Sequence, residues 1–414
     1  MENNNWKETD FGKIPLDWNI DSIINLKGED KRAIAMGPFG SNIKAENFVL
    51  SGVPVIRGTN LNYYKYVGGD FVYLTDEKAD QLIGSNCKEG DLVFTHRGTI
   101  GQVGLVPNEY PRYVISQSGM KLTVDLNKIN NVFLFYFFKS EFGQYQLLKY
   151  ESQVGVPSIS NPLTSLKEIT VPVPPLPEQK AIASVLSSLD DKIDLLHQQN
   201  QTLENLAETL FRQWFIEEAK EDWEERPLSF YGKIICGKTP SKKQSSFFNG
   251  VYPFIKIPDM HGKTFVFETN DTLTEEGLKS QYNKTIPEKS INVSCIATVG
   301  LVTMNAYISQ TNQQINSIIP IDVFRYYIFC QMKNSYELLQ AMASGGTATP
   351  NLNTGDFSKI TIPNPDTDIL KKFNIEVSPI FDKIFENSKQ IQTLTQLRDT
   401  LLPKLMSGEV RVQL

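Results

Sequence analysis

The sequence predicts an α+β protein in which two similar strand-rich units are separated by two long antiparallel coiled-coil helices, laid out as a pseudo-two-fold internal repeat. Three observations predict it. Leu186, Leu189, Ile193, Leu196, Asn200, Leu203, Ala207, Leu210 and Trp214 alternate at spacings of three and four, a heptad seam over about four repeats. A second seam, Val377, Ile380, Ile384, Asn387, Ile391, Leu394, Leu397, Leu401 and Leu405, lies near the end of the chain, and Asp191-Lys192-Ile193 falls on Asp382-Lys383-Ile384 at a shift of 191 residues. Finally, short apolar segments and glycine loops ahead of the first seam recur in order ahead of the second.

The first unit spans residues 1–171. Trp6 and then Gly12 to Trp18 read as an ordered arm, and Met36 to Ser41 as a glycine-punctuated loop ending near Asn42 and Lys44. Val53–Ile56, Phe71–Leu74, Asp91–Phe94, Val103–Val106 and Gly119–Val124 have the β-branched, turn-bounded character of strands, whereas Phe133–Phe138, in a run ending near Tyr150, reads as a buried helix. Residues 172–220 form the central helix. Pro172, Pro174, Pro175 and Pro177 hold its approach extended, and Glu178 and Gln179 open its first turn, where acidic charge suits the helix dipole. At ~1.5 Å per residue, the stretch from Glu178 to Glu218 would reach roughly 60 Å.

The second unit, residues 221–365, repeats the order. Trp223 answers Trp18, and Ile235 to Ser241 answers the glycine loop. Pro253 to Lys256 answers Pro54 to Arg57, Thr298-Val299-Gly300 answers Thr99-Ile100-Gly101, and Ile308-Ser309-Gln310 answers Ile115-Ser116-Gln117. Residues 366–414 form the second helix, and Ser378-Pro379 predicts a later start or a kink there. The pairing of the two helices is assigned to Leu186, Leu189, Ile193, Leu196, Asn200, Leu203 and Leu210 against Ile380, Ile384, Asn387, Ile391, Leu394 and Leu401.

With 414 residues, 40% hydrophobic and 21% charged, the chain is ordinary globular material for two or three domains. It has no apolar run of membrane-spanning length and no signal-peptide pattern, so a cytoplasmic protein without a membrane partner is expected. Cys87, Cys236, Cys295 and Cys330 are dispersed, with no CxxC pair and three histidines to join them, which argues for reduced thiols and against zinc. The net charge of -6 argues against a phosphate-binding surface spread over the whole chain, though a basic cleft can be local.

Catalytic signatures are missing. No phosphate loop, nucleophile elbow, HExxH or dinucleotide turn occurs, and Asn161-Pro162-Leu163 is no methyltransferase element. Glu178-Gln179-Lys180 has the spacing of a nuclease ExK, but its place at a helix start favours capping.

The arm GKIPLDW, the loops GPFGSNIK and CGKTPSKK, the lead-in VPVPPLPEQKAIASVLSSLDDKI and the terminus LLPKLMSGEV together resemble the specificity subunit of type I restriction-modification enzymes, over the whole chain. The resemblance implies two target recognition domains, each reading one half of a bipartite site in double-stranded DNA, and two helices that set the spacer and dock two methyltransferase subunits. Restriction subunits would supply the motor and endonuclease. It implies no catalysis and no cofactor in this chain, with S-adenosylmethionine, ATP and Mg on the partners. A two-fold arrangement suits DNA, whose half-sites repeat about every 34–36 Å.

Base-reading candidates in the matched loops are Arg57, Asn60, Arg97 and Gln117 in the first unit and Lys256, Asp259, Gln310, Asn312, Gln313 and Gln314 in the second. Arg suits guanine and Asn or Gln suits adenine through bidentate hydrogen bonds. Lys44, Lys238, Lys242 and Lys243 suit phosphates, which position without specifying. The alternative from another class is a non-catalytic scaffold holding two ligand- or protein-binding modules at fixed distance; the acidic balance favours it and the polar matched loops disfavour it.

Overall fold

Short runs of Val, Ile, Phe and Leu bounded by glycine and proline build the first unit's sheets, as β-branched and aromatic residues do when both faces are covered. The computed structural model describes residues 5–61, 65–152, 155–344 and 350–413. The chain divides into one unit of residues 1–194 with 393–414 and another of residues 195–392.

In the first unit, Val53–Ile56 and Tyr113–Ile115 pair in parallel, flanked by Val72–Leu74 and Asn86–Cys87. An antiparallel sheet follows the order Ile34–Met36, Gly119–Leu122, Leu92–Thr95, Val103–Leu105. The aromatic run is a helix, Asn131–Lys139, whose residues Phe133 to Phe138 are all buried; the Asn130 side chain accepts from the Phe133 N–H to cap it. Ser140 ends that helix and caps the next, Glu141–Leu148. Phe94 meets Phe138 edge-on at 4.9 Å, tying sheet to helix.

The arm is a hairpin, Trp6–Thr9 with Gly12–Pro15, followed by Asn19–Ser22 against Thr170–Val173. It ends on a clamp whose inner half, Trp18 and Glu178, is buried and whose outer half, Asp17 and Arg411, is exposed. Trp18 Nε1 donates to Glu178 Oε2 at 3.1 Å, and the Arg411 guanidinium pairs with both Glu178 and Asp17. Gln179 accepts from Asn130 N at 2.7 Å and donates to Pro174 O. Glu178 and Gln179 are 2% and 1% exposed. They therefore anchor the helix to the domain beneath it, with Glu178 in the first turn; the helix itself begins two residues earlier than expected, at Leu176.

The second unit has a five-stranded sheet in the order Gly232–Cys236, Ile315–Pro320, Ile291–Ser294, Val302–Asn305, Phe265–Val266, and a three-stranded one in which Phe248–Ile255 lies between Asp271–Leu273 and Gln310–Thr311. Its backbone repeats the first unit's connections. Ile23 N donates to Ile169 O as Leu228 N does to Ile360 O, and Gly101 N donates to Thr95 O as Gly300 N does to Ser294 O. One expected match shifts. Val114 and Ile115 lie beside Val55 and Ile56, while Gln310 and Thr311 lie beside Phe254 and Ile255. The counterpart of Ile115-Ser116-Gln117 is thus Thr311-Asn312-Gln313, and the likeness to Ile308-Ser309-Gln310 falls three residues early because strand register, not the short shared string, sets equivalence.

The long helices are Leu176–Arg212, 37 residues, and Thr367–Ser407, 41 residues. The second runs unbroken through Pro379, contrary to the expected late start. Pro379 and the residue four before it, Ile375, are on the exposed face, where water can take the carbonyl hydrogen bond that proline leaves open. Within the first unit, Asp190, 4% exposed, accepts from Tyr136 Oη at 2.6 Å and from Arg398 Nη1 at 3.0 Å, while Leu186 shares a core with Leu405 and Met406. Within the second, Asn387 Nδ2 donates to Asn200 Oδ1 at 3.0 Å, and Phe211 meets Phe373. In each unit the partners descend along one helix as they ascend along the other, so the segments are antiparallel.

Ile193, Leu196, Ile380, Ile384, Asn200 and Asn387 are buried in the seam, and Leu189, Leu203, Leu210, Ile391, Leu394 and Leu401 are half-buried. Leu397 is 45% exposed, its expected place taken by Arg398, because a 3.6-residue turn drifts off a strict heptad. Phe211 and Phe215, each one residue past an expected seam position, are buried in the second unit's core.

Candidate nucleic-acid interface

Two glycine loops are locked against the ends of the parallel strand pairs. Gly37 N donates to Gly119 O, and a Cβ on Gly37 would stand 1.8 Å from Ser116 O. Gly237 N donates to Ile315 O, and a Cβ there would stand 2.1 Å from Asn312 O. Only glycine permits either approach. Each unit therefore places a short loop, 36–44 or 237–243, beside a turn carrying an exposed glutamine, Gln117 or Gln313.

In the first unit this makes a cleft lined by Ile43, Lys44, Ala45, Phe48, Arg57 and Gln117, among others. Lys44 and Gln117 are exposed and Arg57 is half-buried, so three of the predicted residues converge on one opening. The Arg57 guanidinium donates to Asp70 O at 3.2 Å, which aims it along the cleft wall. His96 fixes the glutamine turn: its ring faces Gln117 O at 3.2 Å, so Nε2 carries the proton, and burial holds its pKa below the usual imidazole value. Arg97 is exposed on the next residue, where its backbone bridges Ser158.

In the second unit, Gln313 is exposed and its Oε1 accepts from Thr239 at 2.8 Å, leaving the amide nitrogen for a ligand; Gln314 is half-buried. Lys238, Lys242 and Lys243 are exposed on the adjoining loop. Lys256, the counterpart of Arg57, is half-buried and ion-paired with Asp271.

Four of the predicted base readers are buried and hydrogen-bonded within the fold. Asn60 and Asp259 are 1% and 5% exposed and do the same job in their two units, accepting from Arg57 N and Lys256 N. Asn60 also donates to Gly68 O and Asp70 O, and Asp259 also accepts from Asn270 N. Gln310 is fully buried, donating to Leu278 O and accepting from Gln281. Asn312 is 7% exposed and bonds both the backbone and the side chain of Gln314. Their polarity satisfies the loops themselves, so in this conformation their hydrogen bonds are made within the fold. Phe48, His96 and Thr239 were not singled out in the sequence; a lone histidine or threonine carries no signal there until the strands are paired.

Among the described residues no group of His, Cys, Asp and Glu could hold a metal ion, and all four cysteines are unpaired. No described helix is long and apolar enough to cross a membrane.

A family model described as the type I restriction modification DNA specificity domain matches residues 46–205 and again 220–396. The HindI specificity subunit of a type I restriction enzyme from Haemophilus influenzae is 35% identical over 78% of this chain and 87% of its own length. The MjaIX specificity subunit from Methanocaldococcus jannaschii is 29% identical over 99% of this chain and 97% of its own. The crystal structure of a type I restriction-modification system S subunit from M. genitalium has the same fold, with a TM-score of 0.63 covering 98% of this chain and 97% of that one at 18% identity.

Proposed function

From the premise that this chain belongs to the type I restriction-modification DNA specificity family, we propose that it is the DNA-binding specificity subunit of such a complex, each strand-rich domain reading one half of a bipartite site. The observation that carries this reading is the repeated loop pair: a glycine-locked loop beside an exposed glutamine turn, once in each unit. Arg57, Arg97, Gln117, Lys256, Gln313 and Gln314 are the side chains available to base edges, and Lys44, Lys238, Lys242 and Lys243 those available to phosphates. The three loop lysines of the second unit supply locally the positive charge that the acidic chain lacks as a whole.

The recognition domains are assigned to residues 1–171 and 221–365. The helical segments 172–220 and 366–414 set the spacer and dock two methyltransferase subunits, and restriction subunits complete the complex. The chain itself does no chemistry; S-adenosylmethionine, ATP and Mg belong to the partners, and the assembly works in the cytoplasm. The test pairs two measurements. Deleting the gene should erase one bipartite methylation motif from the host genome and restoring it should bring the motif back, while the rigorously purified chain should transfer no methyl group until a methyltransferase partner is added. Methyl transfer by the chain alone, or an unchanged methylome, would refute the proposal.

A further inference from the structure

The two equivalent loops differ in one side chain and in the direction it takes. Counting from Gly37 and Gly237, the second residue on is Phe39 in the first unit and Thr239 in the second. Thr239 turns inward to Gln313, and lysines follow it. Phe39 is 84% exposed, one of the most exposed large apolar side chains among the described residues. Its mounting is stiff, because Gly37 is pinned by the Ser116 and Gly119 backbone on one side and a short helical turn, Gly40–Asn42, follows on the other. A second ring, Phe48, 36% exposed, lines the adjoining cleft with Lys44, Arg57 and Gln117.

An exposed phenyl ring on a loop that also carries Lys44 and whose glycine abuts the Gln117 turn has the composition of a DNA wedge: apolar side chains pushed between base pairs kink a duplex, and the cations hold the strands on either side. We propose that Phe39 enters the stack of the half-site read by the first unit and partly unstacks one base-pair step. The second unit, with Thr239 and three lysines in place of the ring, clamps phosphates and leaves its half-site stacked. The first half-site then carries a preference that no hydrogen bond writes, for a readily unstacked pyrimidine–purine step at the wedge position. This rests on the DNA-binding reading above.

The test uses the full complex with its methyltransferase partner and a duplex carrying the motif found by methylome sequencing, with 2-aminopurine placed in turn at each adenine outside the methylated positions. Wild type should raise the fluorescence at one step, in one half-site only. Phe39→Ala should abolish that rise, weaken binding by about 5- to 150-fold, the range for loss of one stacked base, and relax the methylated motif at the wedge step alone; Phe39→Trp should retain the rise. Because the side chain is exposed, neither variant should disturb folding, which an unchanged thermal midpoint would verify. A rise that persists in Phe39→Ala, or unaltered affinity, overturns the wedge alone. Loss of partner assembly in Phe39→Ala assigns the ring to a protein contact and also overturns it. If the wild-type complex shows no preference for its motif over a scrambled duplex, the parent reading fails instead.

Discussion

Asp194 is the surplus carboxylate of an acidic turn on the central helix. Asp190 is taken up by Arg398 and Tyr136, and Asp191 by Lys65 at 2.6 Å, but Asp194 has a buried oxygen with no hydrogen-bond partner among the described residues. Burial, then repulsion from Asp190 and Asp191, raises its pKa to about 6, against the smaller opposing pull of Lys65 and Arg398. A carboxylate whose pKa is higher folded than unfolded binds the proton more tightly in the native state. Its stabilising contribution is therefore complete below the unfolded value near 3.8 and is lost as pH rises through about 6. Asp194→Asn should then stabilise the protein above pH 6 by about 1 kcal/mol, the shift being discounted for partial solvent exposure, and give no benefit at pH 4. Thermal midpoints of both proteins across that range check this; an advantage that persists undiminished at pH 4 would remove the linkage. None of this was legible in the sequence, where Asp190, Asp191 and Asp194 are three similar letters and only the fold brings Arg398 and Lys65 to two of them.

Strands and helices were legible because their signal is periodic burial. The seam registers locate both long helices, and the phenylalanine run locates a helix with no exposed face to alternate. The polar loops were not, because a buried Asn that caps its own turn and an exposed Gln that reaches outward have similar compositions. Asn60, Asp259 and Asn312 cap their own turns, Gln310 is buried in bonds to Leu278 and Gln281, and Gln117 and Gln313 are exposed. Strand pairing makes that division, and it is a long-range property. Ile384 tests the helix reading directly: it is fully buried in the second unit's core with Val377, Ile380 and Phe381. Ile384→Ala should cost about 2–5 kcal/mol in denaturant unfolding, the usual range for emptying such a site. A loss below 0.5 kcal/mol would mean that the seam is not a packed core. The Asn200 and Asn387 pair, one polar layer in an apolar seam, fits a device that fixes register at some loss of stability.

At the scale of the molecule, each unit draws on both long helices to close its own core. The first takes Leu186 from the central helix and Leu405 and Met406 from the C-terminal one; the second takes Ala207, Phe211 and Phe215 from the former and Phe373, Val377 and Ile384 from the latter. A recognition domain thus depends on the helix faces beneath it for its own core. This shapes the exchange experiment. Replacing residues 221–365 by the equivalent segment of a relative leaves Phe211, Phe215 and Phe373 in place, so the incoming domain must present a surface able to cover those rings, as Tyr327 does here at 4.8 Å from Phe215. With a donor that has an aromatic residue at the Tyr327 position, the chimera should fold and methylate a hybrid motif: one half from the host chain, the other from the donor, with an unchanged spacer because both helices are the host's. Methylome sequencing reads all three features at once. A change in both halves would mean that the loops at 57 and 117 do not read independently of those at 256 and 313, and a changed spacer with both helices intact would remove the helices from their measuring role.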